Sequence, residues 1–162
     1  MEIRPYVAEE YEALWGLKRA FELGLGDGTG GDEKLETYEA KLTDKYRERY
    51  REWVDDCVAE DERAVHVAEG DEGELVGYAF VLPPSLSMIW DAAVLNEIYV
   101  APDHRGTGVA DELLEAALDA ARAQDLPLDR MVLDVDGENE RARTFYERFG
   151  FTHWGEMVAR EL

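Results

Sequence analysis

Chemistry in this sequence concentrates between Tyr99 and Ala110, which reads Tyr-Val-Ala-Pro-Asp-His-Arg-Gly-Thr-Gly-Val-Ala. A strand pattern ends at Val100, Pro102 forces a turn, and a glycine-rich turn opens an alanine-rich helical pattern. The first amides of a helix have no internal partner and carry the positive end of its dipole, so they suit a phosphate. Gly106 and Gly108 let an anion approach backbone N–H groups without Cβ interference. Arg105 adds a fixed positive charge at the lip. The turn is not a Walker A loop, because the terminal Lys-Ser/Thr is missing. Nor is it a full dinucleotide fingerprint, because the third glycine is absent and the preceding strand is not the first of the chain. Taken alone, Gly-x-Gly also fits a plain tight turn. Further on, Asn139, Ala142, Tyr146, Gly150 and Phe151 stand in the spacing N-x-x-A-x-x-x-Y-x-x-x-G-F. By residue type, Asn139 suits a helix N-cap and Tyr146 the apolar face of a helix.

The elements that must position these residues alternate between strand-like and helix-like stretches, which predicts an α/β or α+β domain over residues 1–162. Ile3 to Val7 reads as a strand and Tyr11 to Leu23 as a helix. The glycine-rich run Gly24 to Gly31 reads as a flexible connection, a candidate lid. A long helix is expected from Lys34 to Glu60. Its stripe of Tyr38, Leu42, Tyr46, Tyr50, Trp53, Val54 and Cys57 fits either packing on a sheet or an aromatic substrate wall. Ala64 to Glu69 and Glu74 to Leu82 form a hairpin about the turn at residues 70–73. Strands follow at Ala93 to Val100 and Met131 to Val135, and helices at Thr107 to Gln124 and Glu138 to Phe149. Phe151 to Leu162 is expected to close the chain as a strand.

With Arg105-Gly106-Thr107-Gly108-Val109-Ala110 matching Q/R-x-x-G-x-G/A, and the Asn139–Phe151 spacing downstream, the sequence resembles the GNAT superfamily of N-acetyltransferases. The resemblance is specific over Glu97 to Phe151 and only topological before it. It implies a mixed, mostly antiparallel sheet of six to seven strands, flanked by about four helices and splayed at its centre. It implies acetyl-coenzyme A as cosubstrate. The pyrophosphate would lie on the backbone of Arg105, Gly106, Thr107, Gly108, Val109 and Ala110. The pantetheine arm would run along Glu97, Ile98, Tyr99 and Val100, with Asn139 bonding the arm. Tyr146 occupies the position of the general acid. Its alternative is a core tyrosine.

An amine must lose a proton before it attacks a thioester, and Glu97 is the first candidate base, against a structural ion pair or an outward face. Many relatives carry a second acid one residue earlier, where this chain has Asn96. His104 and His153 are the other candidates. The implied acceptor is a primary amine of a small molecule or protein. A non-catalytic acyl-CoA-binding or sensing module, or a subunit active only in a complex, is the alternative. A homodimer is possible.

Composition narrows the classes. The 162 residues carry 17 Lys+Arg against 38 Asp+Glu, a formal charge of −21. Nucleic acid and anionic membranes need a basic footprint and are excluded as expected partners. The acid is spread along the chain, and only Lys18, Lys34, Lys41 and Lys45 are lysines. That fits a surface adapted to concentrated salt, with an acidic site for a cationic substrate as the other reading. Cys57 is the only cysteine, so no disulfide framework is expected, and its default is a small buried hydrophobe. His66, His104 and His153 are isolated, so no metal site is expected. No apolar run approaches a membrane span, and Met-Glu-Ile-Arg-Pro lacks the apolar core of a signal peptide. A cytoplasmic protein is the expectation.

Overall fold

The computed structural model describes residues 1–28 and 31–162. In chain order the regular elements are β1 (Glu2–Pro5), α1 (Tyr11–Gly28), α2 (Gly31–Lys41), α3 (Asp44–Glu60), β2 (Val65–Glu69), β3 (Leu75–Val81), β4 (Ala93–Val100), α4 (Val109–Arg122), β5 (Met131–Leu133) and α5 (Glu140–Arg148). Among the described residues the strands form one sheet in the order β1-β2-β3-β4-β5. The first three pairings are antiparallel and β4–β5 is parallel. The mixed sheet agrees with expectation, but it has five strands rather than six to seven.

Each face of the sheet carries its own core. On one face α1 and α3 bury Leu14, Val54 and Cys57 against Val65, Val67, Tyr78 and Phe80. On the other, α4 places Val109, Leu113, Leu114 and Ala117 against Ala79, Val81 and Leu95. The spacing of those α4 residues is one face of a 3.6-residue helix. Leu113 and Leu114 are fully buried, each contributing about 1.5–3 kcal/mol of apolar transfer. Phe145 and Tyr146 of α5, with Phe149 at its C-cap, close the edge of this second core.

Three sequence expectations need correction. The run from Gly24 to Gly31 is not one connection: residues 24–28 continue α1 and Gly31 opens α2, while Thr29 and Gly30 lie outside the described residues. Packing between α1 and α2 outweighs the weak helix propensity of glycine. The expected helix from Lys34 to Glu60 is two helices. Thr43 leaves the helical conformation and caps α3, its side chain accepting from Tyr46 N at 3.1 Å, a stop signal hidden inside an unbroken apolar stripe. The expected closing strand at residues 151–162 is absent. Trp154, Met157 and Val158 are largely exposed there, and that segment pairs with no strand.

Candidate active site

The site begins with a defect in β4. Phe80 stands opposite Glu97, but Val81 stands opposite Leu95, so Asn96 is an extra residue in the ladder. Such a bulge bends the strand and re-aims its side chains. On its other edge β4 pairs with β5 only through Ala93, Val94 and Leu95, whose partner is Leu133. From Asn96 onward β4 has no β5 partner, and the sheet opens there. An open strand edge presents backbone donors and acceptors to an extended ligand.

That edge runs into the glycine-rich turn. Gly106 and Gly108 adopt positive φ of 75° and 90°, a conformation that favours glycine, and Gly108 caps α4. A Cβ at either position would meet nothing within 4 Å, so the turn faces open space. The Arg105 N–H is already used, donating to Pro102 O at 3.2 Å. The Arg105 side chain is also committed: Nε donates to Val100 O at 3.0 Å, and the guanidinium lies 5.6 Å from the Tyr99 ring centre. Arg105 therefore ties the turn to the end of β4. Helix geometry leaves the amides at the start of α4, Val109 and Ala110, without internal partners. A helix start with unpartnered amides, and open space beside Gly106 and Gly108, suits the pyrophosphate of a coenzyme A group. The opened edge from Glu97 to Val100 fits its extended arm.

Asn139 caps α5, its Oδ1 accepting from Ala142 N at 3.1 Å. The Tyr-x-x-x-Gly-Phe part of the downstream motif describes the other end of the same helix. Gly150 takes φ of 88°. Its N–H donates to Glu147 O at 3.0 Å and that of Phe151 to Tyr146 O at 3.1 Å, the paired bonds of a Schellman cap. The Tyr146 and Phe151 rings meet at 5.7 Å. The motif thus spells a capped helix that fixes Tyr146 against the second core. Arg148 anchors α5 to α4 through two bonds to Asp111 at 2.9 Å. Burial pushes the Tyr146 phenol up to about 12, so it is a protonated donor throughout the neutral range.

Glu97 points toward α1 and α3 and is buried. Its Oε1 accepts from Tyr50 OH at 2.7 Å and Tyr78 OH at 2.8 Å. Its Oε2 accepts from Lys18 Nζ at 2.8 Å and Asn96 Nδ2 at 3.1 Å. A carboxylate offers roughly four lone-pair directions, and four donors occupy them. Burial, followed by the Glu97 charge, holds both phenols well above their ordinary range, so they stay donors. Lys18 also donates to Glu22, one helical turn along α1, and Lys41 Nζ lies 2.7 Å from the other Glu22 oxygen. Burial acts to lower the Lys18 pKa and to raise that of Glu22. The charges of Glu97 and Glu22 outweigh it for the lysine, which is raised, and those of Lys18 and Lys41 for the glutamate, which is lowered.

Lys18, Glu22, Tyr50 and Tyr78 were not singled out as site residues from the sequence. A signal was present: Lys18 and Glu22 continue the four-residue spacing of Leu14 on the apolar face of α1, where charge needs a partner. The other candidates are placed apart from this cluster. His104 lies in the short 3-10 turn Pro102–His104. His153 is exposed in the C-terminal segment. Burial pushes the Cys57 thiol up to about 11, which suits a packed side chain and not a nucleophile. Among the described residues no group of His, Cys, Asp and Glu could hold a metal ion, and no helix is long and apolar enough to cross a membrane.

Comparison with known proteins identifies the family. The family model for the acetyltransferase (GNAT) family matches residues 31–151. The 5-NmdU N-acetyltransferase of Pseudomonas phage PaMx11 is 35% identical over 97 residues, covering 60% of this chain and 63% of that protein. The phosphinothricin N-acetyltransferase of Streptomyces coelicolor is 31% identical over 87 residues, covering 54% of this chain and 50% of that protein. The chain thus spans half to just under two thirds of these curated relatives. In fold, it is similar to the PaiA N-acetyltransferase of Thermoplasma acidophilum in complex with coenzyme A, with a TM-score of 0.70 at 20% identity over 93% of this chain and 89% of that one. With the family model covering most of its length, the splayed sheet and the glycine-rich start of α4, the chain belongs to the GNAT family of acetyltransferases.

Proposed function

We propose that this protein, acting as one domain over residues 1–162, transfers an acetyl group from acetyl-coenzyme A to a primary amine of a small molecule or protein, by direct attack in a ternary complex. The observation that carries the proposal is the open edge of β4 beyond Leu95, followed within a few residues by a glycine-rich helix start whose Gly106 and Gly108 have open space beside them. Acetyl-coenzyme A supplies the activated thioester. The chain's own groups do the rest. The amides at the start of α4 hold the diphosphate, and the side-chain nitrogen of Asn139, whose oxygen caps α5, donates to the arm. A backbone N–H of β4 past the bulge donates to the oxygen on which negative charge develops. Tyr146 Oη holds its proton at neutral pH and gives it to the departing sulfur as the new C–N bond replaces C–S, and the proton that the nitrogen sheds leaves through water and restores the phenol.

Glu97 enters differently from the base that its sequence position suggests. With every lone pair occupied, we propose it as a positioning residue that fixes the bulge through Asn96 and holds Lys18. The high negative charge fits work in concentrated salt, where repulsion is screened.

The reading is tested by following thiol release from acetyl-coenzyme A with a panel of primary amines. Tyr146→Phe keeps the ring packing and removes the proton. It should lower kcat by about 100-fold with cofactor affinity retained. Cofactor binding without turnover in the wild-type protein would instead leave an acyl-CoA-binding module.

A further inference from the structure

We infer that the pocket formed by Glu22, Tyr38 and Tyr46, filled here by the ammonium of Lys41, is the seat of a second cationic group on the acceptor, so that the preferred acceptors are α,ω-diamines. This rests on the reading of the chain as an amine acetyltransferase.

The pocket is assembled from three helices: Glu22 from α1, Tyr38 and Lys41 from α2, and Tyr46 from α3. Glu22 is only 3% exposed. Its Oε1 accepts from Lys18. Its Oε2 is buried without a hydrogen-bond partner among the described residues. Lys41 Nζ lies 2.7 Å from that oxygen, in an ion pair. The same ammonium stands 4.8 Å from the ring centre of Tyr38 and 5.4 Å from that of Tyr46. A buried carboxylate oxygen flanked by two aromatic rings is a receptor for an alkylammonium ion, and Lys41 occupies it as a stand-in.

The two lysines of this cluster are unequal. Lys18 is sealed, with its side chain 4% exposed, whereas that of Lys41 is 37% exposed. Two buried carboxylates, Glu22 and Glu97, face one sealed lysine, so the cluster keeps one negative charge for a cation arriving from the surface. Lys41 is the partner that can leave, because its side chain is 37% exposed, and the cost of uncovering the buried Glu22 oxygen is offset once another cation takes its place. An incoming ammonium recovers the same carboxylate and rings. Glu22 shares Lys18 with Glu97, and Glu97 bonds the bulge residue of β4. The pocket therefore lies one carboxylate–ammonium–carboxylate step from the opened strand edge. An acceptor spanning this step would present one neutral amine at β4 and keep the other as an ammonium at Glu22. The charge of −21 favours approach of such a dication.

The test compares 1,4-diaminobutane and 1,6-diaminohexane with n-butylamine by calorimetry, on wild type, Glu22→Gln and Lys41→Met, with melting temperatures measured in parallel. A diamine should bind the wild type at least about tenfold more tightly than n-butylamine, the worth of one charge-assisted contact. Glu22→Gln should erase that preference. Lys41→Met removes the internal competitor and should tighten diamine binding by about tenfold. If Glu22→Gln does not fold, Lys41→Met decides alone, since Lys41 lies outside the sealed part of the cluster. Unchanged or weaker diamine binding in Lys41→Met overturns the proposal and makes the Lys41–Glu22 contact a structural pair. In turnover, the ratio of kcat/KM for diamine over monoamine should fall by at least tenfold in Glu22→Gln. Diamine binding as described without acetylation of any amine would sink the transferase reading and leave the cation seat. Acetylation with no diamine preference would do the reverse.

Discussion

Lys18 is the residue on which the interior electrostatics turn. It is the one sealed cation between two buried carboxylates, Glu22 and Glu97, and a buried pair broken on one side costs about 3–5 kcal/mol. Lys18→Met should therefore lower unfolding free energy by about that amount at neutral pH, measured by denaturant melts. The pH dependence has a definite sign. Glu22 is lowered from 4.5 in the fold, so its contribution is present above pH 4.5 and is lost as pH falls below it. Lys18 is raised from 10.5, so its contribution is present below pH 10.5 and is lost as pH rises through the folded value. The gap in stability between wild type and Lys18→Met should be flat between those limits and shrink outside them. A gap under about 1 kcal/mol across that plateau would show that the pair is effectively solvated. Glu97 was legible in the sequence as a site residue, but its partnership with Lys18 was not, because the two lie 79 positions apart and only the fold makes them partners.

Among the elements, β3, β4 and α4 do the positioning, and one glycine lets them approach. Gly77 of β3 stands opposite Val100. A Cβ there would lie 2.8 Å from Tyr99 O and 3.0 Å from Leu113 Cδ1. Gly77→Ala should thus destabilise the fold by about 1–3 kcal/mol through overpacking and push α4 away from the end of β4. A melting temperature equal to wild type would contradict that close approach. The sequence announced β2, β3, β4 and α4 well, because alternation and a clean apolar stripe mark them. It could not announce the bulge at Asn96, since the extra residue shows only when β3 is laid alongside. It joined α2 to α3 because Tyr38, Leu42, Tyr46 and Tyr50 continue one spacing across the Thr43 cap. That stripe also divides in use: Tyr50 packs beside the sheet, whereas Tyr38 and Tyr46 hold the Lys41 ammonium.

Taken as a whole, the molecule is a sheet covered on both faces and opened along one edge, with the opening aimed at a helix start. The Arg105–Ala110 and Asn139–Phe151 motifs were legible because each is a local device, a glycine-rich helix start and a capped helix end. The closing strand was not, since its pairing depends on an edge that the residue pattern cannot supply. The central claim is that the amides at the start of α4 seat the diphosphate of acetyl-coenzyme A. The most direct measurement is calorimetric titration of acetyl-coenzyme A into wild type and Gly108→Glu, in high salt to screen the −21 charge. A Cβ at Gly108 meets nothing in the protein, so the added carboxylate would stand in the anion's place, with melting temperature tracking the strain at positive φ. The account predicts saturable binding by wild type that Gly108→Glu abolishes while remaining folded. Binding of equal strength by both, or none by wild type, would contradict it.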